Sequence, residues 1–437
     1  MQRKILALSI LAAMSLSGCG SDHKSPHDHD HDHDHHHMAG AQRIMLDDGN
    51  GALHLLEAAD GSLVETFAID DVSALYPSED GRYAIIRVRG ETHHFRFLDS
   101  GVLVEPHGDH VHLEVEPPVL LDYQVSASDH GTDQSAHAVS RDDRIALFFD
   151  GNAETPTAAA VTIPFSNLAT SSPETPYVLS GNRHHGVAVP AEGDAVIMSV
   201  AEAGAGSTAR TGVRVYREGV GEVAAFANSC PGLHGYAVIG NNHLFGCARE
   251  EGEGHVLAVR YNAEPAHPSE TYTQHWITYP EGELRVSNFA FHRDQSVAVA
   301  PWGTDAMVRV DPAADAIGAD DVLSLPADQC GYALRDDTGE QLLVLTTDGS
   351  LRAYELADWT VSAELAVMAP FECSNPRPVL HSVGGYAYLT DPISNSLLEI
   401  ELEDDEMEVH YRLDLDYTPV RMIPFHHPAG VEDYGDH

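Results

Sequence analysis

Three features of the sequence predict an all-β fold, a seven-bladed β-propeller preceded by a disordered N-terminal arm. Between Arg43 and Phe425, short Val, Ile, Leu and Tyr runs alternate with Gly, Asp and Asn clusters, which is strand and turn chemistry. No stretch carries the apolar period of a long amphipathic helix. One unit recurs seven times, a small or polar residue, an apolar strand, a tight turn and a second apolar strand. Repetition on this scale marks a ring of four-stranded blades.

Residues 1–18 precede all of this. Arg3 and Lys4 lead an apolar run from Ile5 to Leu16, followed by Ser17, Gly18 and Cys19. A run this short, closed by a small residue and Cys, reads as a lipoprotein signal peptide rather than a membrane span. Cys19 is the expected lipidation site, and Gly20 after it favours an outer-membrane anchor facing the periplasm. Residues 19–42 form a tether that contains His27, Asp28, His29, Asp30, His31, Asp32, His33, Asp34, His35, His36 and His37. This tract has no apolar side chain whose burial could offset the entropy of ordering, so a mobile arm is expected. Its interleaved imidazoles and carboxylates suit a borderline metal such as zinc. An inert spacer or a tag is the competing reading, against which the regular Asp residues argue.

The first repeat pairs Val72–Tyr76 with Tyr83–Val88, the second His137–Val139 with Ile145–Phe149, the third His185–Val189 with Ala195–Val200. His234–Val238 with His243–Cys247, Asn288–Phe291 with Ser296–Ala300, Cys330–Leu334 with Gln341–Thr346, and Arg377–Leu380 with Tyr386–Thr390 complete the set. Each is the predicted inner hairpin of a blade, and intervening runs such as Val213–Arg217 and Val256–Tyr261 supply outer strands. A blade alone leaves both faces bare, so blades must stack around a ring. Residues 43–67 are expected to close it by pairing with Leu397–Leu402 and Val409–Leu413. A pair of β-sandwiches and a six- or eight-bladed ring are the competing architectures. Residues 426–437 form an acidic, His-containing tail.

Aligning the repeats puts His137, His185 and His234 in one register, the start of the innermost strand, where one mouth of the channel lies. Three imidazoles from consecutive blades would then converge, as zinc requires. A second cluster, His107, Asp109, His110 and His112, runs from a loop into an alternating strand, and His426 follows the last predicted strand. The propeller ligands are expected among His107, Asp109, His110, His112, His185, His234 and His426. Apart from Cys19 there are four cysteines, Cys230, Cys247, Cys330 and Cys373, an even number that suggests two disulfides in an oxidising compartment. Sequence leaves three pairings open. The register favours Cys230 with Cys247, at the two open ends of one hairpin, and Cys330 with Cys373, at neighbouring blade mouths.

The 68 acidic residues against 24 basic argue against a nucleic-acid partner, which needs a basic footprint. There is no nucleophile elbow, His-Glu-x-x-His, phosphate loop or haem attachment motif. A binding protein rather than an enzyme is expected, with a metal-dependent propeller hydrolase or lactonase as the rival.

With the signal, the His/Asp arm, the repeats and the His-rich mouth assembled, the chain resembles the periplasmic zinc metallochaperones of the AztD type. The residues that carry the resemblance are the arm at His27–His37, the cluster at His107–His112, and His185. It implies a propeller that passes Zn2+ to the solute-binding protein of a zinc ABC importer, and a monomer tethered to the membrane by its lipid. Ligand type alone leaves copper, nickel and cobalt open; the resemblance points to zinc. The lipid anchor departs from a soluble periplasmic carrier and leaves chaperone and membrane-bound store as alternatives.

Overall fold

The computed structural model describes residues 41–107, 110–170, 174–201, 209–249, 253–403 and 405–426, with backbone alone at 104–107 and 110–113. The signal peptide, Cys19, the arm from His27 to His37 and the tail beyond His426 lie outside the described residues.

Among the described residues eight sheets, not seven, follow one another around a ring. Numbered from the first repeat, blade 1 holds Val72–Pro77, Tyr83–Arg89, His93–Asp99 and Val119–Ser126; blade 2 holds Ser135–Arg141, Arg144–Phe149, Thr157–Pro164 and Tyr177–Asn182. Blade 3 comprises Ala188–Ala191, Ala195–Ala201, Arg210–Arg217 and Gly221–Ala225, and blade 4 His234–Ile239, Asn242–Gly246, His255–Tyr261 and Tyr272–Thr278. Blade 5 has three strands, Ala298–Pro301, Ala306–Val310 and Val322–Ser324. Its expected inner strand at Asn288–Phe291 is reduced to one bridge, Ala290 exchanging 2.8 Å backbone hydrogen bonds with Val299. Blade 6 is Gln329–Leu334, Gln341–Thr346, Ser350–Glu355 and Val361–Ala366; blade 7 is Leu380–Val383, Tyr386–Asp391, Ser396–Leu402 and Met407–Asp414.

Blade 8 accounts for the miscount. Its first strand is Arg421–Phe425, from one end of the propeller sequence, and its other three are Arg43–Asp47, Ala52–Glu57 and Leu63–Ala68, from the other. No inner hairpin exists there to recur in the sequence, so a search for hairpins finds seven. The closing register runs from Arg43 opposite Phe425 to Asp47 opposite Arg421. The expected partners Leu397–Leu402 and Val409–Leu413 are already the third and fourth strands of blade 7. Three side-chain contacts reinforce the closure: Arg421 with Asp47, the Tyr411 hydroxyl to the Ala58 carbonyl at 2.7 Å, and the Ala41 N–H to the Tyr388 hydroxyl at 2.9 Å.

The core lies between blades. Eight clusters of buried apolar residues occupy the eight blade interfaces, and alternate residues of one strand serve the two neighbours. Ile44 and Leu46 pack with Tyr388 and Leu397 of blade 7, whereas Met45 between them packs with Ala84 and Ile86 of blade 1. Leu342 and Val344 face blade 5, Leu343 and Leu345 face blade 7. A strand buried on both faces must be apolar at every position, which explains runs such as Leu342-Leu343-Val344-Leu345. Among the described residues no helix is long and apolar enough to cross a membrane.

A separate strand pair, Val102–His107 with His110–Val115, is inserted between the third and fourth strands of blade 1. His107, expected in a loop, therefore ends a strand, with His107 opposite His110 and Glu105 opposite His112; Gly108 and Asp109 lie outside the described residues. Both disulfides are formed as the register favours, Cys230 with Cys247 and Cys330 with Cys373.

Candidate metal centre

Blades 2, 3 and 4 present their first strands in the same direction, and the residues at the beginning of each meet at one mouth of the ring. In blade 2 a register shift between Ser135 and His137 opens the strand. In blade 4 the matching shift falls between His234 and Tyr236. Such bulges turn a side chain out of the regular alternation. His185 lies in the turn between Asn182 and Ala188 that leads into blade 3.

The result is a cluster of three imidazoles. His137 Nε2 and His185 Nε2 are 3.0 Å apart. The ring centroids lie 4.7 Å apart for His137 and His185, 6.2 Å for His185 and His234, and 6.4 Å for His137 and His234. Two nitrogens that share a tetrahedral zinc through bonds of ~2.0–2.1 Å stand about 3.3 Å apart, so the first pair already has nearly the span of two ligands. The three rings, with Arg210, Leu233 and the backbone at Gly186 and Gly235, line a cavity of about 20 Å³, room for one water-sized occupant. Among the described residues no set of three His, Cys, Asp or Glu donors is closed to ligand geometry, so metal binding here requires the rings to draw inward.

Hydrogen bonds at the far side of two rings leave their Nε2 lone pairs for the cavity. Asp150 Oδ2 accepts from His185 Nδ1 at 2.8 Å, and the Ser287 carbonyl accepts from His234 Nδ1 at 2.7 Å. Carboxylate or carbonyl to imidazole to metal is the usual outer-shell arrangement of a histidine ligand, since it selects the tautomer and holds the ring. With Nδ1 of His185 donating to Asp150, a neutral His185 accepts at Nε2, so the short contact takes its proton from His137 Nε2, a proton that a metal would have to displace. Burial, reinforced by His185 and Arg87, pushes the His137 imidazole down to about 3. Burial also lowers His234, although its bond to Ser287 opposes this. Both rings are therefore neutral at physiological pH, as ligation requires.

Two glycines make the site possible. Gly235 adopts φ +73°, and a Cβ there would stand 2.5 Å from the Ser287 carbonyl oxygen that holds His234. Gly186 has Ser199 Oγ, His184 Nε2 and Phe148 Cζ at 2.3 to 2.6 Å from the position its Cβ would take. Each directly follows a clustered histidine, so the His-Gly dipeptides at 185 and 234 were a legible signal. Asp150 and Ser287 were not singled out by sequence reasoning; Asp150 ends an apolar run, and only the fold brings it to His185. The buried His184, next to His185, is engaged at both nitrogens, with the Asn182 carbonyl at 2.7 Å and Ser199 Oγ at 2.9 Å, and is a structural residue.

Of the predicted ligands, His185 and His234 are in the cluster together with His137. His426 is elsewhere. With Glu79, Arg141, His292, Asp336 and His381 it lines a cavity of about 600 Å³ built from the ends, not the beginnings, of the first strands. Asp109 lies outside the described residues, as do the side chains of His107, His110 and His112.

No family profile matches the sequence. The chain is 26% identical to the zinc chaperone AztD of Citrobacter koseri over 365 residues, which cover 81% of this chain and 80% of that protein. The crystal structure of Citrobacter koseri AztD superposes with a TM-score of 0.72 at 21% identity, over 88% of this chain and 97% of the other. Its apo form gives a TM-score of 0.71 at 20% identity over the same shares. The propeller fold is therefore shared with a protein that carries zinc and is not named as an enzyme.

Proposed function

We infer that this protein is a zinc carrier of the cell envelope. Its tight site is the propeller mouth formed by His137, His185 and His234, and its His27–His37 arm is a second, looser site. The observation that carries the reading is the convergence of three imidazoles from consecutive blades, two of them 3.0 Å apart at Nε2 and two held from behind by an acceptor. Similarity to the Citrobacter zinc chaperone supports zinc over other borderline metals. Three imidazole nitrogens leave zinc one coordination position, through which a receiving protein can attack without full release of the ion. The recipient we propose is the solute-binding protein of a zinc importer, and Cys19 would anchor the carrier to the membrane by its lipid. The hairpin at His107–His112 and His426 are reserved as additional, weaker donors.

Competition against a chromophoric chelator tests this. Intact protein should bind several zinc ions, one of them tightly. Removing residues 22–37 should lower the stoichiometry and the loading rate while leaving the tight site. Alanine at His137, His185 or His234 should weaken that site by about a hundredfold or more, each lost ligand being worth several kcal/mol at roughly 1.4 kcal/mol per tenfold. Retention of the tight site in all three variants would place it elsewhere. Zinc passing to the importer's receptor faster than it dissociates into chelator separates a chaperone from a store.

A further inference from the structure

Four arginines stand near the three-histidine mouth, in a chain of formal charge −44. Arg87 and Arg89 act electrostatically on His137, and Arg210 and Arg285 on His234. Among the described residues none of the four makes an ion pair. Three of them brace the loops that carry the ligands. Arg87 donates to the Ala136 carbonyl and Arg89 to the Ser135 carbonyl, one and two residues before His137. Arg285 donates to the Gly232 carbonyl at 3.0 Å, two residues before His234.

Arg210 is different. It opens the third strand of blade 3, is half-buried, and lines the same small cavity as the three imidazoles. Its guanidinium has no hydrogen-bond or ion-pair partner among the described residues. Asp150 is near enough to act on it electrostatically. However, that carboxylate is taken up by His185 Nδ1 at 2.8 Å and by the Gly186 N–H at 3.3 Å. An uncommitted cation beside a cation site opposes metal binding by simple repulsion. It becomes favourable only when an anion joins the two, and the planar fork of Arg matches a carboxylate.

We propose that Arg210 receives a carboxylate from outside the propeller, one oxygen of which completes the coordination of the zinc held by His137, His185 and His234. This rests on the three-histidine reading above. No covalent step is involved: the carboxylate replaces water at the fourth zinc position. Zinc and carboxylate then raise each other's affinity by the same factor. An acidic side chain of a receiving protein would bind the loaded carrier in preference to the empty one.

The test uses the full chain with Asp28, Asp30, Asp32 and Asp34 changed to Asn, loaded with one equivalent of Co2+ or Zn2+, with acetate as the probe and chloride at equal ionic strength as control. Acetate should tighten the first equivalent by about ten- to a hundredfold, the range of a charge-assisted hydrogen bond, and shift the visible bands of bound cobalt. Arg210→Gln should abolish both responses yet bind zinc in acetate-free buffer at least as tightly, because a repelling charge is gone. Arg210→Lys, which keeps the charge and loses the fork, should recover the response only in part. No acetate response in the Asn-arm protein, an equal response to chloride, or an unchanged response in Arg210→Gln overturns the proposal. His137→Ala separates the two readings. If it keeps the tight equivalent, the three-histidine site falls; if it loses it while Arg210→Gln still responds, only the carboxylate assignment falls.

Discussion

Asp150 shows how much of the site is decided by one carboxylate. Its side chain is 10% exposed while that of its partner His185 is 42% exposed, so a ring that reaches solvent is aimed by a group largely out of it. Asp150→Asn removes the charge but keeps the shape, and the expected cost is about ten- to a hundredfold in zinc affinity, as for other outer-shell partners; chelator competition measures it. His137 carries the pH dependence. An unfolded histidine titrates near 6.5, whereas folded His137 stays neutral down to about 3. Between these values the unfolded chain binds more protons, so the stability of the zinc-free protein should fall as pH drops from about 6.5 towards 3. Urea midpoints across this range should show a shallower fall for His137→Gln, and identical slopes would exclude His137 as the source.

At the scale of strands and turns, the same device sets two of the three clustered histidines: a bulge at the start of a first strand, where the chain enters the blade. The blade 4 version is held from both sides. Gly235 allows the backbone to run against the Ser287 carbonyl, and the Cys230–Cys247 bond ties the approach to His234 to the end of the neighbouring strand, where Gly246 pairs with His234. Closing a loop of this size by a disulfide stabilises by about 3 kcal/mol. Gly235→Ala should cost roughly 1–2 kcal/mol for the left-handed backbone alone and more for the 2.5 Å approach to Ser287. Thermal unfolding should register the loss, and zinc affinity should fall with it because the displaced carbonyl is the one that orients His234. A variant with a lowered melting temperature and undiminished zinc affinity would show that this bond does not position the ring.

For the whole molecule, ring closure is the feature on which every blade interface depends. Ile423, in the strand that completes blade 8, is fully buried and packs with Met45, Leu53 and Ile86. Ile423→Ala should destabilise by about 2–5 kcal/mol, as for other large-to-small core changes, and a cost near zero in chemical denaturation would mean that the ring stays closed without this strand. Against the acidic excess of 68 to 24, four arginines stand near the three-histidine mouth, none of them in an ion pair among the described residues.

What could be read from the chain follows from local periodicity. Strand character, the blade repeat, the pairing favoured for both disulfides and the convergence of His137, His185 and His234 all depend on residues close in sequence or on a repeat that copies their context, although His185 sits in the turn before its strand and not at the strand's start. The eighth blade was not legible, because Arg43–Asp47 and Arg421–Phe425 form it from opposite ends of the propeller sequence and neither contains a hairpin. Membership of the cluster was legible only in part. Sequence grouped His426 with the mouth because it follows the last strand, yet that strand runs away from the mouth and delivers His426 to the other end of the channel. Asp150, Ser287 and Arg210 are ordinary residues until the ring closes. A side chain's type sets what it can bind, but whether it has a partner depends on contacts between blades, and those are made only in three dimensions.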